Sequence, residues 1–282
     1  MLRNLAKRIY RNLPDPIFHQ LNYARVFKKQ ANITRPELFS EKILIRNIWP
    51  KKIYTLLADK IKVRDYIAAV LGEQYLIPVY ATTTEMTYEL YKSLPNSFVM
   101  KANHGCGFNS IVFDKSKITY ETLYEQASTW MDSNWYLSNK ERHYQGIKPG
   151  LIFEELLQVD GQVPNDLKFH CFNKDGQMRI FIQVDYQRYG LHRRDVFDEE
   201  WNRTEIRMGL KNNPEPMPRP EKLDEMLVLA KTIASQFSYV RIDFYSVGSK
   251  IYFGELTFTP GAGLCRIWPR TVQREWGSYF TD

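Results

Sequence analysis

The chain has 282 residues, 44% of them hydrophobic and 14% aromatic, which is enough to bury a large core in one compound domain or in two or three small ones. No segment reaches the roughly 20 consecutive apolar residues of a membrane span, and charges interrupt the N-terminal stretch where a signal peptide needs an apolar run. The sequence therefore predicts a globular protein of the cytoplasm. A formal net charge of +7 favours an anionic partner, which leaves nucleotides, nucleic acids, acidic polysaccharides and anionic lipid surfaces open.

Three cysteines, Cys106, Cys171 and Cys265, lie far apart in the chain. Their odd number and the lack of a C-x-x-C spacing argue against a disulfide framework and against a paired zinc motif. We therefore expect buried thiols at these positions.

Residues 1–75 are predicted to form a helical N-terminal region, because apolar residues recur at steps of three and four with no alternating run. The region is rich in basic residues, so a non-catalytic protein that docks on an anionic polymer or membrane is an alternative to an enzyme. No nucleic-acid-binding module accompanies these charges, so we expect no nucleic-acid partner. The basic residues are Arg3, Lys7, Arg8, Arg11, Arg25, Lys28 and Lys29.

Residues 76–157 are predicted to form a first α+β unit. Strands are indicated at "YLIPVYA", "SFVMKAN" and "SIVFD", with a helical pattern between the first two and a longer one from Thr119 to about Leu137. The strand "LIFEELL" follows, and its Glu154 and Glu155 interrupt an otherwise buried pattern. A surface strand explains this pair of carboxylates as well as a binding site does.

Residues 158–282 are predicted to form a second α+β unit dominated by antiparallel hairpins. Its strands are "DLKFHCFN", "QMRIFIQVDY" and a final pair within residues 240–261, with one helix from Glu221 to about Phe237. The first of these strands carries Asp166 and Lys168.

The final pair of strands, "VRIDFYSVGSKIYFGELTFTPG", carries charges among its β-branched and aromatic residues. Alternation places Arg241, Asp243 and Tyr245 on one face. A connection with an odd number of residues would set Arg241 opposite Glu255 with Asp243 as its diagonal neighbour, whereas an even one would separate the charges. Two converging carboxylates suit magnesium, which takes one or two of them together with substrate phosphates. The alternative is a cross-strand ion pair on a solvated face.

A glycine-rich turn follows the strand that ends at Lys101, in "FVMKANHGCGFNS". Gly105 and Gly107 allow backbone N–H groups to approach an anion, and Asn109 and Ser110 follow them. A flexible lysine beside such a turn adds a mobile positive charge. The pattern therefore indicates a phosphate-binding loop, with an ordinary turn as the alternative.

In chain order these pieces resemble the ATP-grasp superfamily over roughly residues 58–265. The motifs are Lys60 in "ADKIKVRDYI", Lys101 with its glycine-rich turn, the "FEELL" hinge, "RIDFY" and "FGELTFTPG". The details "FSEKI", "KANHGCGFN" and "GELTFTPGAG" are similar to the TupA-like ATP-grasp proteins of bacterial teichuronopeptide and capsule synthesis. The resemblance implies an α+β ATP-grasp fold, in which two antiparallel-sheet subdomains clasp ATP beside a helical N-terminal region.

The resemblance also implies a nucleotide site. Lys60, Lys101 and the glycine-rich turn would bind the phosphates of ATP. The hinge from Glu154 to Leu157, which includes Glu155, would bind adenine, and Asp166 and Lys168 would lie near the ribose or the phosphates.

For the reaction centre, the resemblance implies that Arg241 steadies developing negative charge while Asp243 and Glu255 hold Mg²⁺. Thr257 stands where the family usually has a magnesium-binding Asn, and it is a weaker, neutral ligand. The parallel α/β domain that precedes the nucleotide site in many ATP-grasp ligases is not expected here, so acceptor recognition must be built differently.

The activity that the resemblance implies is ATP-dependent amide ligation through an acyl phosphate, joining an amine or amino acid to a uronic acid of a surface polysaccharide or its precursor. This ligation would take place in the cytoplasm or at the inner face of the membrane. A glycan kinase and a glycosyltransferase are the enzymatic alternatives. The segment "YQRYGLHRRD" is assigned to acceptor or γ-phosphate contact, with a solvated loop as the alternative. Its candidate residues are Arg188, His192, Arg193 and Arg194.

Overall fold

The computed structural model describes residues 10–186 and 191–281. The helices within them are α1 (Asp15–Phe27), α2 (Phe39–Ile48), α3 (Ile53–Ala58), α4 (Val63–Val70), α5 (Tyr88–Ser93), α6 (Tyr120–Met131), α7 (Trp135–Asn139), α8 (Leu223–Ala234) and α9 (Thr271–Tyr279). The strands are β1 (Val79–Thr83), β2 (Phe98–Ala102), β3 (Asn109–Val112), β4 (Leu151–Glu154), β5 (Asp166–Lys174), β6 (Gln177–Tyr186), β7 (Arg193–Phe197), β8 (Arg207–Met208), β9 (Tyr239–Val247), β10 (Lys250–Thr257) and β11 (Ile267–Trp268). They form a four-stranded, a five-stranded and a two-stranded sheet.

The five-stranded sheet has the order β10–β9–β5–β6–β7, and each neighbouring pair is antiparallel. Val240, Ile242 and Phe244 of β9 lie in one apolar core with residues of α8, as the alternation predicts. Burial of these alternate positions fixes the register, because a slip of one residue would turn them to the other face. The polar residues of β9 therefore share the opposite face.

The four-stranded sheet has the order β1–β4–β2–β3 and is also antiparallel throughout. Phe98 of β2 and Phe153 of β4 share an apolar core with Leu123 of α6. Strand β4 pairs with β2 although it comes last in the chain. The strand that carries Glu154 therefore lies beside the strand that carries Lys101.

Helix α2 packs against the other face of the five-stranded sheet, whereas Tyr54 of α3 and Ile67 of α4 lie in the same core as α8. Phe39 of α2 shares a core with Phe172 of β5, Tyr239 of β9 and Trp276 of α9. Arg46 of α2 is buried and donates a hydrogen bond of 2.8 Å to the carbonyl oxygen of Tyr239. The predicted helical character is confirmed for residues 10–75, whereas the basic residues Arg3, Lys7 and Arg8 lie outside the described residues. The domain boundaries at residues 75 and 157 stay predictions.

Several strands differ from their predicted positions: the short strands β8 and β11 were not predicted, and β1 and β7 differ for identifiable reasons. The strand predicted at "YLIPVYA" begins only at Val79, because Pro78 has no N–H for a ladder hydrogen bond, and Glu73–Tyr75 form a 3-10 turn. Strand β7 lies outside the predicted strands, because residues 193–195 are all charged and hide its extended pattern. A sheet partner, not local propensity, makes this segment a strand.

The helix predicted to run to about Leu137 is divided. It ends at Met131, and α7 begins after a short break. Asn134 starts the new helix by accepting a hydrogen bond of 3.0 Å from the Leu137 N–H. A capping side chain inside an apolar pattern thus ends one helix and starts another.

The cysteines have three different environments. Cys171 is buried and Cys265 is half-buried, but Cys106 is exposed, so the expectation of a buried thiol is wrong there. Cys106 lies in the turn between β2 and β3. Across residues 10–186 and 191–281, the helices are all too short or too polar to cross a membrane.

Gly277 of α9 permits a close backbone approach to the segment before α2. A Cβ atom at this position would lie 1.9 Å from the Glu37 carbonyl oxygen, and a backbone atom cannot rotate away. We expect Gly277→Ala to lower the free energy of unfolding by about 1–3 kcal/mol, because α9 must shift. Chemical denaturation measures the change, with Ser278→Ala on the exposed side of α9 as the control. Equal stability of the two variants would contradict this packing.

Candidate ATP and acceptor site

A row of polar side chains crosses the five-stranded sheet on the face opposite to α8. The register pairs Glu255 of β10 with Asp243 of β9, Asp243 with Lys168 of β5, and Lys168 with Gln183 of β6. Residues paired directly across antiparallel strands have their side chains on the same face. Four strands thus bring two carboxylates, an ammonium group and an amide together.

The Asp243–Glu255 pairing depends on a bulge in β10. The connection between β9 and β10 is the two-residue turn Gly248–Ser249, an even loop, which was expected to separate the charges. That expectation is wrong, because the register shifts between Phe253 and Glu255 and puts Glu255 opposite Asp243. Gly254 is the extra residue, and a Cβ there would lie 3.0 Å from the Tyr245 ring and 3.2 Å from the Asp243 carbonyl oxygen.

Arg241 joins the two carboxylates, which we call the carboxylate pair. Its Nε and Nη2 donate to Asp243 at 2.7 and 2.8 Å, and Nη2 also donates to Glu255 Oε1 at 2.6 Å. The side chains of Arg241, Asp243 and Glu255 are 13%, 4% and 40% exposed. Burial would lower the pKa of Arg241, but the charges of Asp243 and Glu255 outweigh it and raise the pKa. Most of this ion pair is therefore buried, unlike a surface pair.

The carboxylate pair fits a magnesium site in its donor chemistry. Asp243 and Glu255 supply two hard oxygen ligands from facing positions. Larger groups of three or more His, Cys, Asp or Glu side chains placed to hold a metal are absent from the described part of the chain. Phosphate oxygens and water would complete the coordination, as is usual for Mg²⁺. Thr257 lies opposite Arg241, and its hydroxyl donates to Glu255 Oε1 at 3.1 Å.

Lys168 extends the charge network from the carboxylate pair to Asp166. Its ammonium group is buried and lies 2.7 Å from Asp243 Oδ2 and 3.5 Å from Asp166 Oδ2. Tyr245 shares the face of Arg241 and Asp243, and burial together with the charges of Asp166, Asp243 and Glu255 raises its pKa. The predicted ribose-side residues and the predicted metal ligands are thus neighbours.

Hydrogen bonds to two other segments of the chain fix the position of the glycine-rich turn between β2 and β3. Asn103 donates to Asp59 Oδ1 at 2.9 Å and accepts from the Gly150 N–H at 2.8 Å. Gly107 has a φ of +77°, which favours glycine, and a Cβ there would meet nothing within 4 Å. The space beside Gly107 is open, so its backbone is accessible to a ligand.

The two candidate lysines reach the region from different elements. Lys60 follows α3 and donates to the carbonyl oxygen of Gly105 at 2.5 Å. Burial lowers the pKa of Lys60, while the charges of Glu255 and Glu154 oppose that change. Lys101 ends β2, and its ammonium group lies 2.5 Å from Glu154 Oε2. Both lysines therefore lie within the electrostatic range of acidic residues of the site.

A small cavity of about 60 Å³ lies where the two sheets face each other. Its lining brings together Lys101, Asn109, Glu155 and Leu157 with apolar side chains and the ring of Tyr245. Binding pockets usually measure about 300–1,000 Å³, so a nucleotide would have to widen this one. Of the remaining predicted residues, Ser110 pairs with Met100 in the β2–β3 ladder.

The predicted acceptor residues lie on or beside β7. Arg194 pairs with Asp185 of β6, and its Nε lies 2.5 Å from Asp185 Oδ1, while His192 Nε2 lies 3.3 Å from the same oxygen. Burial would raise the pKa of Asp185, but Arg194 lowers it to about 2. Arg193 begins β7 opposite Tyr186. Arg188 lies outside the described residues.

A second cavity, which we call the inner cavity, adjoins Arg241 and has a volume of about 180 Å³. Arg241, Arg194 and Gln183 provide its polar lining from the sheet. The rest comes from α2 and its neighbours: Phe39, Ser40, Met208, Pro260, Gly261, Gly263 and Cys265. Arg194 of β7 and Arg241 of β9 therefore line the same cavity.

Three residues of this region lie outside the predicted set. Arg64 lies 3.3 Å from Glu154 Oε1, and its position four residues after Lys60 on a helical pattern is the signal for it. Tyr245 shares the face of Arg241 and Asp243 by simple alternation. Gln183 has no signal in the sequence, because its place depends on the pairing of β5 with β6.

Residues 41–281 match the family model described as TupA-like ATPgrasp. The chain belongs to the TupA-like ATP-grasp family. The two antiparallel sheets and the helical N-terminal region agree with this, so the predicted ATP-grasp fold class is confirmed. No curated protein matches the chain.

Solved structures with distant similarity to this TupA-like ATP-grasp chain include two bacterial enzymes named for D-alanine. The D-alanyl-alanine synthetase A of Vibrio cholerae is 12% identical with a TM-score of 0.42, and the match covers 79% of this chain and 59% of that one. The D-alanine–D-alanine ligase of Helicobacter pylori is 12% identical with a TM-score of 0.44, over 80% and 62% of the two chains. The ATP-grasp ligase PsnB, solved with Mg and ADP, is 9% identical with a TM-score of 0.39, over 74% and 52%. The chain thus spans less than two thirds of these proteins.

Glu255 offers a clean test of the metal assignment because its side chain is 40% exposed. We expect Glu255→Gln to raise the Mg²⁺ concentration needed for half-maximal ATP turnover by more than about tenfold, since an amide lacks the charge of a hard-cation ligand. The melting temperature should change little, because Asp243 still compensates the charge of Arg241 through two hydrogen bonds.

Glu225→Gln is the matched control, because the Glu225 side chain is also 40% exposed and also pairs with a cation, Lys222. It should leave the Mg²⁺ dependence unchanged. Asp243→Asn is less suitable, since it removes the buried carboxylate that Arg241 and Lys168 share and should destabilise the fold by about 3–5 kcal/mol. A wild-type Mg²⁺ dependence in Glu255→Gln would exclude Glu255 as a ligand.

Proposed function

We propose that this TupA-like ATP-grasp protein is a carboxylate–amine ligase. A carboxylate oxygen of the acceptor attacks the γ-phosphorus of ATP, and the bond from that phosphorus to the β–γ bridging oxygen breaks. ADP departs as the leaving group, and the acceptor becomes an acyl phosphate. An amine then attacks the acyl carbon, and inorganic phosphate departs as the amide forms. The hydrolysis energy of ATP thus drives a condensation that is unfavourable in water.

In this proposal ATP lies between the two sheets. Its phosphates contact Lys60, Lys101 and the glycine-rich turn, and its adenine lies against the hinge from Glu154 to Leu157. Mg²⁺, held by the carboxylate pair, would neutralise phosphate charge. The protein's own contribution to phosphoryl transfer is then mainly the positioning of reactants and the stabilisation of charge.

The single observation that carries the proposal is the double position of Arg241. One side of its guanidinium group contacts the carboxylate pair, and the same side chain lines the inner cavity together with Arg194. An acceptor carboxylate in that cavity would lie beside the metal-bound γ-phosphate. Arg241 would then contact both reacting groups and stabilise the negative charge that develops between them.

The lining of the inner cavity favours a carboxylate acceptor over a hydroxyl acceptor. A kinase must remove a proton from the hydroxyl group and usually uses a carboxylate or histidine for this. The described residues that line the inner cavity include no Asp, Glu or His side chain. A carboxylate is already a nucleophile at neutral pH and needs no base, so it suits these surroundings better than a sugar hydroxyl does.

The acceptor of the proposed reaction is a uronic acid of a bacterial surface polysaccharide or its precursor, and the donor is an amino acid or another amine. The net charge of +7 suits an acidic glycan. A reaction in the cytoplasm, or at the inner face of the membrane, would give access to ATP and to a glycan precursor. Basic residues near the N-terminus, with Arg11 and Arg25 among those that the structure describes, would then contact anionic lipid.

Mass spectrometry of the products tests this function directly. The protein is incubated with ATP, Mg²⁺, galacturonic acid oligomers and pooled amino acids. We expect ADP, phosphate and a new product whose mass is the sum of the oligomer and one amine minus one water. An Arg241→Lys variant, which keeps the charge but loses the planar fork, should form at least about 100-fold less product.

A phosphorylated oligomer without loss of water would instead identify a kinase. ADP release that does not depend on any carboxylate, or no ADP release at all with a range of uronates and amines, would contradict the ligase proposal.

A further inference from the structure

A large basic groove lies on the surface beside the inner cavity. It has a volume of about 1060 Å³ and is formed by the end of α1, the start of α2, the β8–β11 ribbon and the first turns of α9. Six basic residues and one acidic residue, Glu275, line it, so it holds a surplus of five positive charges. The six are Lys28, Lys29, Arg207, Arg266, Arg270 and Arg274.

These charges are largely uncompensated by carboxylates. All six basic side chains belong to exposed residues. Among the described residues, the carboxylate contact of the six is that of Arg274 with Glu37 at 3.6 Å, where both side chains are mostly exposed and the pair is weak. Arg266 donates to the Val26 carbonyl oxygen instead. A concave surface with one sign of charge concentrates the field and attracts a polyanion.

An exposed aromatic ring lies among these charges. Trp268 of β11 is 52% exposed and pairs with Arg207 of β8. A large exposed apolar side chain within a charged groove is a common feature of binding surfaces. The flat face of an indole can pack against the apolar face of a sugar ring, while neighbouring arginines pair with its carboxylate.

The groove and the inner cavity share a wall. Ser40 lines both of them, and the β8–β11 ribbon separates them, because Arg207 faces the groove while Met208 lines the inner cavity. Gln273, which lines the groove, accepts a hydrogen bond of 3.0 Å from the Ser40 N–H. The Met208 carbonyl oxygen accepts a bond of 2.8 Å from Arg194, a residue of the inner cavity. A ligand in the groove would therefore lie next to the proposed reaction centre.

We propose that the basic groove binds an oligouronate, the sugar residues that neighbour the one whose carboxylate is activated at Arg241. This proposal rests on the proposed function and deepens it, because it makes the acceptor a chain of several acidic sugars instead of a single one. The repeated carboxylates of such a chain match the distributed arginines and lysines of the groove. A membrane surface is too flat to enter this concave wall, and a nucleic acid is left as an outcome of the test.

The experiment compares binding of hexagalacturonate with binding of galacturonic acid monomer by calorimetry, without turnover. The variant Lys29→Ala/Arg207→Ala/Arg270→Ala removes three charges of the groove. We expect its affinity for the hexamer to fall about tenfold or more, with affinity for ATP unchanged. Trp268→Ala should weaken hexamer binding without any change in the salt dependence of that binding.

The matched control is Lys117→Ala/Lys174→Ala/Lys250→Ala, which removes the same charge from exposed residues outside the groove. It should bind the hexamer as the wild type does. Equal losses in both triple variants, or hexamer binding no tighter than monomer binding, would overturn the groove assignment.

Further arms separate this proposal from its alternatives. Oligothymidylate of equal charge, or phosphatidylglycerol vesicles, that compete with the hexamer and depend more strongly on the same three residues would overturn the choice of an oligouronate. Binding of the hexamer in the groove without ATP turnover on any uronate would support the groove and contradict the ligase function. Turnover with the monomer but no hexamer binding would support the ligase and contradict the groove.

Discussion

The site depends on one buried guanidinium group held between two carboxylates. Arg241 can occupy a largely covered face because Asp243 and Glu255 compensate its charge, and the burial of Asp243 is possible for the same reason. In the same way, Lys168 forms an ion pair with Asp166, and Arg194 forms one with Asp185. The charged face of the sheet is therefore a network in which each charged side chain is stabilised by oppositely charged neighbours. A negatively charged substrate would alter these ion pairs.

The fold supplies the two conditions that this network needs. The five-stranded sheet buries the alternate apolar residues of β9 against α8, which fixes the register and turns Arg241 and Asp243 to the other face. The N-terminal helix α2 and the C-terminal helix α9 then cover part of that face, so the guanidinium group of Arg241 lies in a partly desolvated environment. In such surroundings, fixed charges act on a reacting group more strongly than they would in water.

Local patterns in the sequence predict the elements and the faces of this structure well. Alternation along residues 240–245 assigns Arg241, Asp243 and Tyr245 to one face, and the helical spacing of residues 10–75 and the hairpins after residue 157 agree with the structure. The bulge at Gly254 could not be predicted, since loop parity alone points to the opposite outcome for Glu255. The ATP-grasp motifs named the carboxylate pair through a family resemblance, which does not depend on the loop.

The remaining differences concern non-local pairing. Strand β7 is hidden by its charges until Asp185 of β6 provides a partner for Arg194, and Gln183 acquires its place only through the β5–β6 ladder. The basic groove combines residues from four elements that are distant in the chain, so no window of the sequence contains it. The amino-acid composition shows only that the chain has a positive net charge, not where the basic residues come together.

The central claim is that Arg241 links the metal-binding carboxylates to an acceptor carboxylate, so that an acyl phosphate forms before any amine is needed. Positional isotope exchange tests it most directly, with ATP that carries ¹⁸O at the β–γ bridge, Mg²⁺ and an oligouronate, but no amine. Reversible transfer of the γ-phosphoryl group would move the label into the non-bridging β positions only when the uronate is present, and Arg241→Lys should abolish this exchange in a folded protein. Exchange that is independent of the uronate, or no exchange in a protein that goes on to form the amide, would contradict the account.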